Sequence, residues 1–117
     1  MLSLPPSVRI FLCTQPTDMR RSFDGLAALT RDVLKQDVLS GHLFVFFNRR
    51  RDRTKILYWD RSGLALWAKR LERGVFTLPV ARDPGVALSA AELALIFEGI
   101  DLNGAKRQRR YAAAQPA

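Results

Sequence analysis

Apolar and polar positions follow two rhythms along this chain, every second residue in some stretches and every third or fourth in others. After an irregular lead-in restricted by Pro5 and Pro6, Val8 to Leu12 forms a short β-prone run, and TQPTD from Thr14 to Asp18 ends it as a turn. The rhythm then changes. Phe23, Leu26, Ala27, Thr30, Val33 and Leu34 fall at i, i+3, i+4 and i+7 spacing, which predicts a helix with one apolar face and with Arg31, Asp32 and Lys35 mainly on the wet side. Ser40-Gly41 is its expected stop.

HLFVFF, His42 to Phe47, predicts a second strand, and TKILYWD, Thr54 to Asp60, a third. The link NRRRDR between them suits a hairpin loop longer than the tightest kind. Alternation in the third strand sets Lys55, Leu57 and Trp59 on one face and Ile56 and Tyr58 on the other. With large apolar groups on both faces, this strand is expected to be covered on both sides, by helices or by a partner. DRSGLALWAKRLERG then predicts a second helix, because Leu64, Trp67, Ala68 and Leu71 share a helical face and Gly74 suits a left-handed closing residue. Val75 to Leu78 predicts a fourth strand, and Val86 to Leu88 a fifth that pairs back. SAAE, Ser89 to Glu92, has the form of a capping box opening a last helix through Leu93 and Phe97 to Gly99.

These elements predict one α+β domain over residues 1–102. Its order is β-α-β-β-α-β-(β)-α, an antiparallel sheet of four to five strands with about three helices. Residues 103–117 lack apolar periodicity and read as a mobile basic tail. No repeat and no interdomain linker interrupts the chain. No stretch approaches the roughly 20 apolar residues a membrane span needs, and a cytoplasmic protein is expected. The lone Cys13, in the apolar run VRIFLC, permits no disulfide within one chain and reads as a buried, inert thiol.

Charge changes the picture. Nineteen Lys and Arg face eleven Asp and Glu in 117 residues, and fifteen of the nineteen are arginine, the side chain whose planar fork suits phosphate and carboxylate. Such a balance favours a polyanionic partner, nucleic acid or an anionic surface. Catalysis has little to stand on: there is one His, one Cys, no glycine-rich phosphate loop and no His/Cys cluster at metal spacing. Asp18, Asp24, Asp52 and Asp60 could in principle serve a two-metal nuclease. Asp52 lies inside RRRDR and Asp60 precedes Arg61, however, while Asp18 suits a turn and Asp24 a helix's first turn. No enzyme, no cofactor and no metal are expected.

The sharpest feature is the loop itself. Arg49, Arg50, Arg51, Arg53 and Lys55 would project from a hairpin tip able to reach a groove or straddle phosphates. A solvated loop partly neutralised by Asp52, or a loop docked on an acidic protein, would carry the same charges. Arg20 and Arg21, and Lys69, Arg70 and Arg73 on the second predicted helix, would extend the patch if they share its side. Trp59, Tyr58 and Trp67 could stack on unpaired bases, but their places on apolar faces favour core packing. His42 opens a strand and carries no assigned role.

PTDMRRSFDGLAAL (Pro16 to Leu29), SGHLFVFFNRRRDRTKILYWD (Ser40 to Asp60) and GLALWAKRLERGVF (Gly63 to Phe76) together resemble one family. It is the TnpB accessory protein, or second open reading frame, of the IS66 group of bacterial insertion sequences. The much larger RNA-guided nuclease that shares the name TnpB is a different protein. The resemblance covers about Val8 to Ile100 and departs from the family pattern at Leu78, where an aromatic often precedes the proline. It implies a non-enzymatic accessory role in transposition beside a separate transposase that carries the chemistry and a further small protein of the same element. The reading that follows is a factor that binds DNA near the element ends, or the transposase-DNA assembly, through its basic hairpin, with self-association left open. The alternative is a protein-protein adaptor for the transposase that touches no DNA.

Overall fold

Leu43–Phe47 is buried at every position, and it forms the middle strand of the sheet. A computed structural model of the chain describes residues 5–80 and 83–98. Its strands are β1 (Ile10–Cys13), β2 (Leu43–Phe47), β3 (Arg53–Asp60), β4 (Gly63–Arg70) and β5 (Gly85–Leu88), in the spatial order β4-β3-β2-β1-β5. The helices are α1 (Phe23–Asp32) and α2 (Ala90–Phe97), with a single 3-10 turn at Val38–Ser40. The expected tail from residue 103 and the expected stop at Gly99 lie outside the described residues.

The α+β class holds, and the sheet is mixed rather than antiparallel. β1 runs parallel to β2, with Phe11 opposite Phe44, because α1 carries the chain across between them. The β2–β3, β3–β4 and β1–β5 pairs are antiparallel. Successive β2 side chains feed two cores. Phe44 and Phe46 join Leu26, Leu34, Cys13 and Leu57 under α1. Leu43, Val45 and Phe47 join Ile10, Leu12, Ile56, Phe76, Leu93 and Ile96 under α2 and the preceding loop. Burying each such aromatic or aliphatic side chain contributes about 1.5–3 kcal/mol, which is why an unbroken apolar run becomes a central strand.

Three elements differ from the sequence pattern. The stretch expected as the second helix is strand β4, hydrogen-bonded along β3 from Asp60–Gly63 to Arg53–Arg70. GLALWA is apolar on both faces because both are covered: Leu64 and Leu66 pack under α1, and Trp67 packs on the opposite core. A two-residue turn joins the strands, with Arg61 at φ 55°. Gly74 is left-handed as expected, at φ 78°, but closes an irregular turn. The fourth strand expected at Val75 to Leu78 is irregular chain instead. Its Phe76 and Leu78 are buried against the sheet face, so the departure from the family pattern at Leu78 is a core position. α1 ends at Asp32, well before Ser40-Gly41, and Lys35 at φ 56° turns the chain away.

Other expectations are realised as written. Leu26 and Thr30 are the buried side of α1, with the Thr30 hydroxyl donating to the Leu26 carbonyl at 2.9 Å, while Phe23, expected on the same face, is exposed at the helix start. Val86 to Leu88 lies in β5 and pairs with β1. Ser89 and Glu92 form the reciprocal capping box of α2. Cys13 is buried, and burial pushes its thiol pKa up. Trp67 stacks on Phe97 with ring centroids 5.3 Å apart, and Tyr58 packs on the same core. The middle of the third strand is covered on both faces by the chain's own elements, Ile56 in one core and Leu57 in the other, while Tyr58 and Trp59 are half-buried.

Candidate nucleic-acid interface

The β2–β3 connection, Asn48 to Asp52, is a tight clasp. Asn48 Oδ1 accepts from the backbone N–H groups of Asp52 and Arg53 at 3.1 and 3.0 Å, and its Nδ2 donates to Asp52 Oδ1 at 2.6 Å. Asp52 is held below the usual carboxylate range, first by this bond from Asn48 and then by the Arg50 and Arg53 charges. Arg51 sits at φ 59°, a left-handed conformation that costs a non-glycine residue free energy and that the clasp imposes.

This tip does not stand free. Thr17 N–H donates to the Phe47 carbonyl at 2.8 Å, Leu71 N–H to the Asp52 carbonyl and Phe76 N–H to the Arg51 carbonyl, both at 2.7 Å. The turn before α1 therefore braces one flank and the chain after β4 braces the other. Between these three segments lies an open depression of about 870 Å³, lined by Arg20, Arg49, Arg50, Arg53 and Arg70, with Asp18, Asp52 and Glu72 among them. A smaller hollow adjoins it, bordered by Lys55 and Lys69 and sharing Arg53 and Arg70.

Each carboxylate in the depression engages one arginine. Asp18 receives both Nε and Nη2 of Arg20, the closest contact being 2.6 Å, and this lowers its pKa to about 2. Glu72 pairs with Arg70 at 3.1 Å, and Asp52 lies 3.9 Å from Arg50. Arg49 and Arg53 make no ion pair among the described residues and remain exposed. Such exposed pairs are weak, so the arginines can exchange partners at small cost. Chemically, the depression offers planar, charge-assisted donors to an anion larger than a single carboxylate.

The remaining sequence-derived candidates separate. Arg51 lines a third concavity, of about 190 Å³, together with Arg49 and Thr14. Arg21 is exposed, its stem lying over Gly25, where an added Cβ would meet it at 3.2 Å. Arg73 is exposed in the turn after β4 and borders none of these hollows. Lys69 and Arg70 are strand residues, so no helix dipole acts on them. Lys55 points its ammonium at backbone, donating to the Met19 and Arg21 carbonyls at 2.7 Å each. It ties the turn before α1 to β3, a role that no charge pattern in the sequence signals. The four aspartates do not converge: Asp60 ends β3 about 23 Å along the strand from Arg53, and Asp24 sits in the first turn of α1.

The family described as IS66 Orf2 like protein matches residues 8–107. Two uncharacterized proteins of Sinorhizobium fredii are similar over most of their length. One, y4jC, is 39% identical over 108 residues, covering 92% of this chain and 92% of its own. The other, y4hO, is 41% identical over 101 residues, covering 86% of this chain and 88% of its own. No solved structure matches.

Proposed function

This chain belongs to the family of IS66 Orf2-like proteins, and on that premise we propose that it is a non-enzymatic accessory factor in insertion-sequence transposition that grips DNA through its arginine-lined depression. The observation that carries the reading is the convergence of Arg20, Arg49, Arg50, Arg53 and Arg70 from three separate segments on one concave surface. Five arginines against three carboxylates leave that surface positive. Arg49 and Arg53, outside the ion pairs, are the phosphate contacts, and Arg20, Arg50 and Arg70 add positive charge around them while holding their carboxylates. The transposase of the same element supplies the chemistry, and this factor works beside it in the bacterial cytoplasm.

The test is fluorescence anisotropy of the protein on an element-end duplex across a salt series, alongside an Arg49→Ala/Arg53→Ala variant with an unchanged melting curve. Affinity should fall steeply with salt, and the variant should bind more weakly with a shallower salt slope. Equal binding by the variant would remove the depression as the DNA site. No binding at low salt would leave the transposase-adaptor reading in its place.

A further inference from the structure

Resting on that reading, we infer that the ligand of the depression is the sugar-phosphate backbone of duplex DNA, bound without regard to base sequence. Three observations point the same way. First, the tip is braced on both flanks by the bonds to Phe47, Arg51 and Asp52 carbonyls, so it presents a broad end face instead of a ribbon that could enter a groove. Second, among the described residues that line the depression, the amide and carboxylate side chains able to read base edges are engaged. Asn48 spends its amide oxygen and nitrogen inside the clasp, and Asp18, Asp52 and Glu72 each face an arginine. What remains free is guanidinium, which takes phosphate without distinguishing bases when it cannot reach a groove.

Third, among the described residues no aromatic lines the depression or the hollow beside it. Sequence-tolerant binding of single strands relies on aromatic platforms for unstacked bases. Trp67, the aromatic of β4, is stacked on Phe97 instead, on the core under α2. A surface with arginine forks and no stacking platform matches the regular, closely spaced phosphates of a duplex, whose charge density also exceeds that of a single strand.

The experiment uses the full chain in competition anisotropy against three unlabelled competitors of equal length: the element-end duplex, a scrambled duplex and a single strand. The two duplexes should compete within about threefold of each other, and the single strand about tenfold more weakly. Arg49→Ala/Arg53→Ala should lower affinity for both duplexes by the same factor. A preference above about tenfold for the element end would overturn the sequence-independent reading. A single strand competing as well as the duplexes would overturn the duplex assignment. Failure of the labelled duplex to bind at all would instead defeat the DNA-binding function on which this inference rests.

Discussion

Arg53 and Arg70 stand directly opposite one another across the β3–β4 ladder, two like charges in register on neighbouring strands. Directly opposed like charges destabilise a sheet pair. Glu72 relieves the Arg70 side at 3.1 Å, while Arg53 has no ion-pair partner among the described residues. An anion seated between the two would relieve both. Arg53→Thr should therefore leave the urea midpoint unchanged or raised, while weakening duplex binding several-fold. A lowered midpoint with unchanged binding would show that the pair serves folding alone.

Asn48 holds the tip with three hydrogen bonds, two of them to backbone N–H groups. Asn48→Ala removes them without changing charge. The expected cost is about 1–2 kcal/mol of stability, together with weaker duplex binding as Arg49 to Arg53 lose their fixed arrangement. Urea denaturation and anisotropy on one preparation would check both. Full affinity at reduced stability would mean that the arginines act as an unstructured cluster.

Lys55 belongs to the charge run in sequence and to the scaffold in space. Lys55→Met should cost about 1.5–3 kcal/mol, as expected for two bonds from a charged donor. The salt slope of duplex binding should remain as in the parent protein, since no phosphate contact is lost. A slope shallower by about one would instead return Lys55 to the list of phosphate ligands.

Acid should loosen the turn before α1. Asp18 has its pKa lowered to about 2 from an ordinary 3.8, first by the side-chain bonds from Arg20 and then by the Arg20 backbone N–H. A carboxylate depressed in the folded state stabilises it fully above its unfolded value and stops doing so as pH falls through the folded one. The window is therefore pH 4 down to about 2. The urea midpoints of the parent and Asp18→Asn should differ at pH 6 and converge toward pH 2. A constant gap would show that the Asp18 charge is not what holds Arg20.

Trp67 gives a test of the aromatic residues. Trp67→Ala should cost about 3 kcal/mol, the low end for truncating a packed aromatic, because its ring lies on Phe97 and borders the core under α2. With Trp59→Phe as background, Trp67 fluorescence should be unaffected by an added single strand. Quenching by the oligonucleotide would place bases against that ring.

The two apolar faces of β3, the inner part of the α1 stripe and the Ser89–Glu92 capping box were legible, because each is written in local spacing. The basic loop was legible as charge and as a candidate site, though not in its geometry. Five arginines of the sequence patch do meet around one depression, but Arg51 lines a separate concavity, Arg73 lies apart and Lys55 faces carbonyls. Only long-range contacts separate these outcomes, since Lys55 meets residues 34 and 36 positions away.

β4 marks the boundary most clearly. Leu64, Trp67, Ala68 and Leu71 satisfy helical spacing by coincidence, and the Arg61-Ser62 turn lacks the glycine or asparagine that announces a tight hairpin. An apolar run covered on both faces carries no period that distinguishes strand from helix. By itself the sequence determined composition of the core, the α+β class, the basic character and the local caps, because these depend on side-chain chemistry and near neighbours. Tertiary structure alone decided that GLALWAKR pairs with β3, that β1 lies parallel to β2, and which arginines share a surface. Those outcomes rest on backbone hydrogen bonds between distant segments, and β3's free edge, more than any local preference of residues 63–70, settled the conformation of β4.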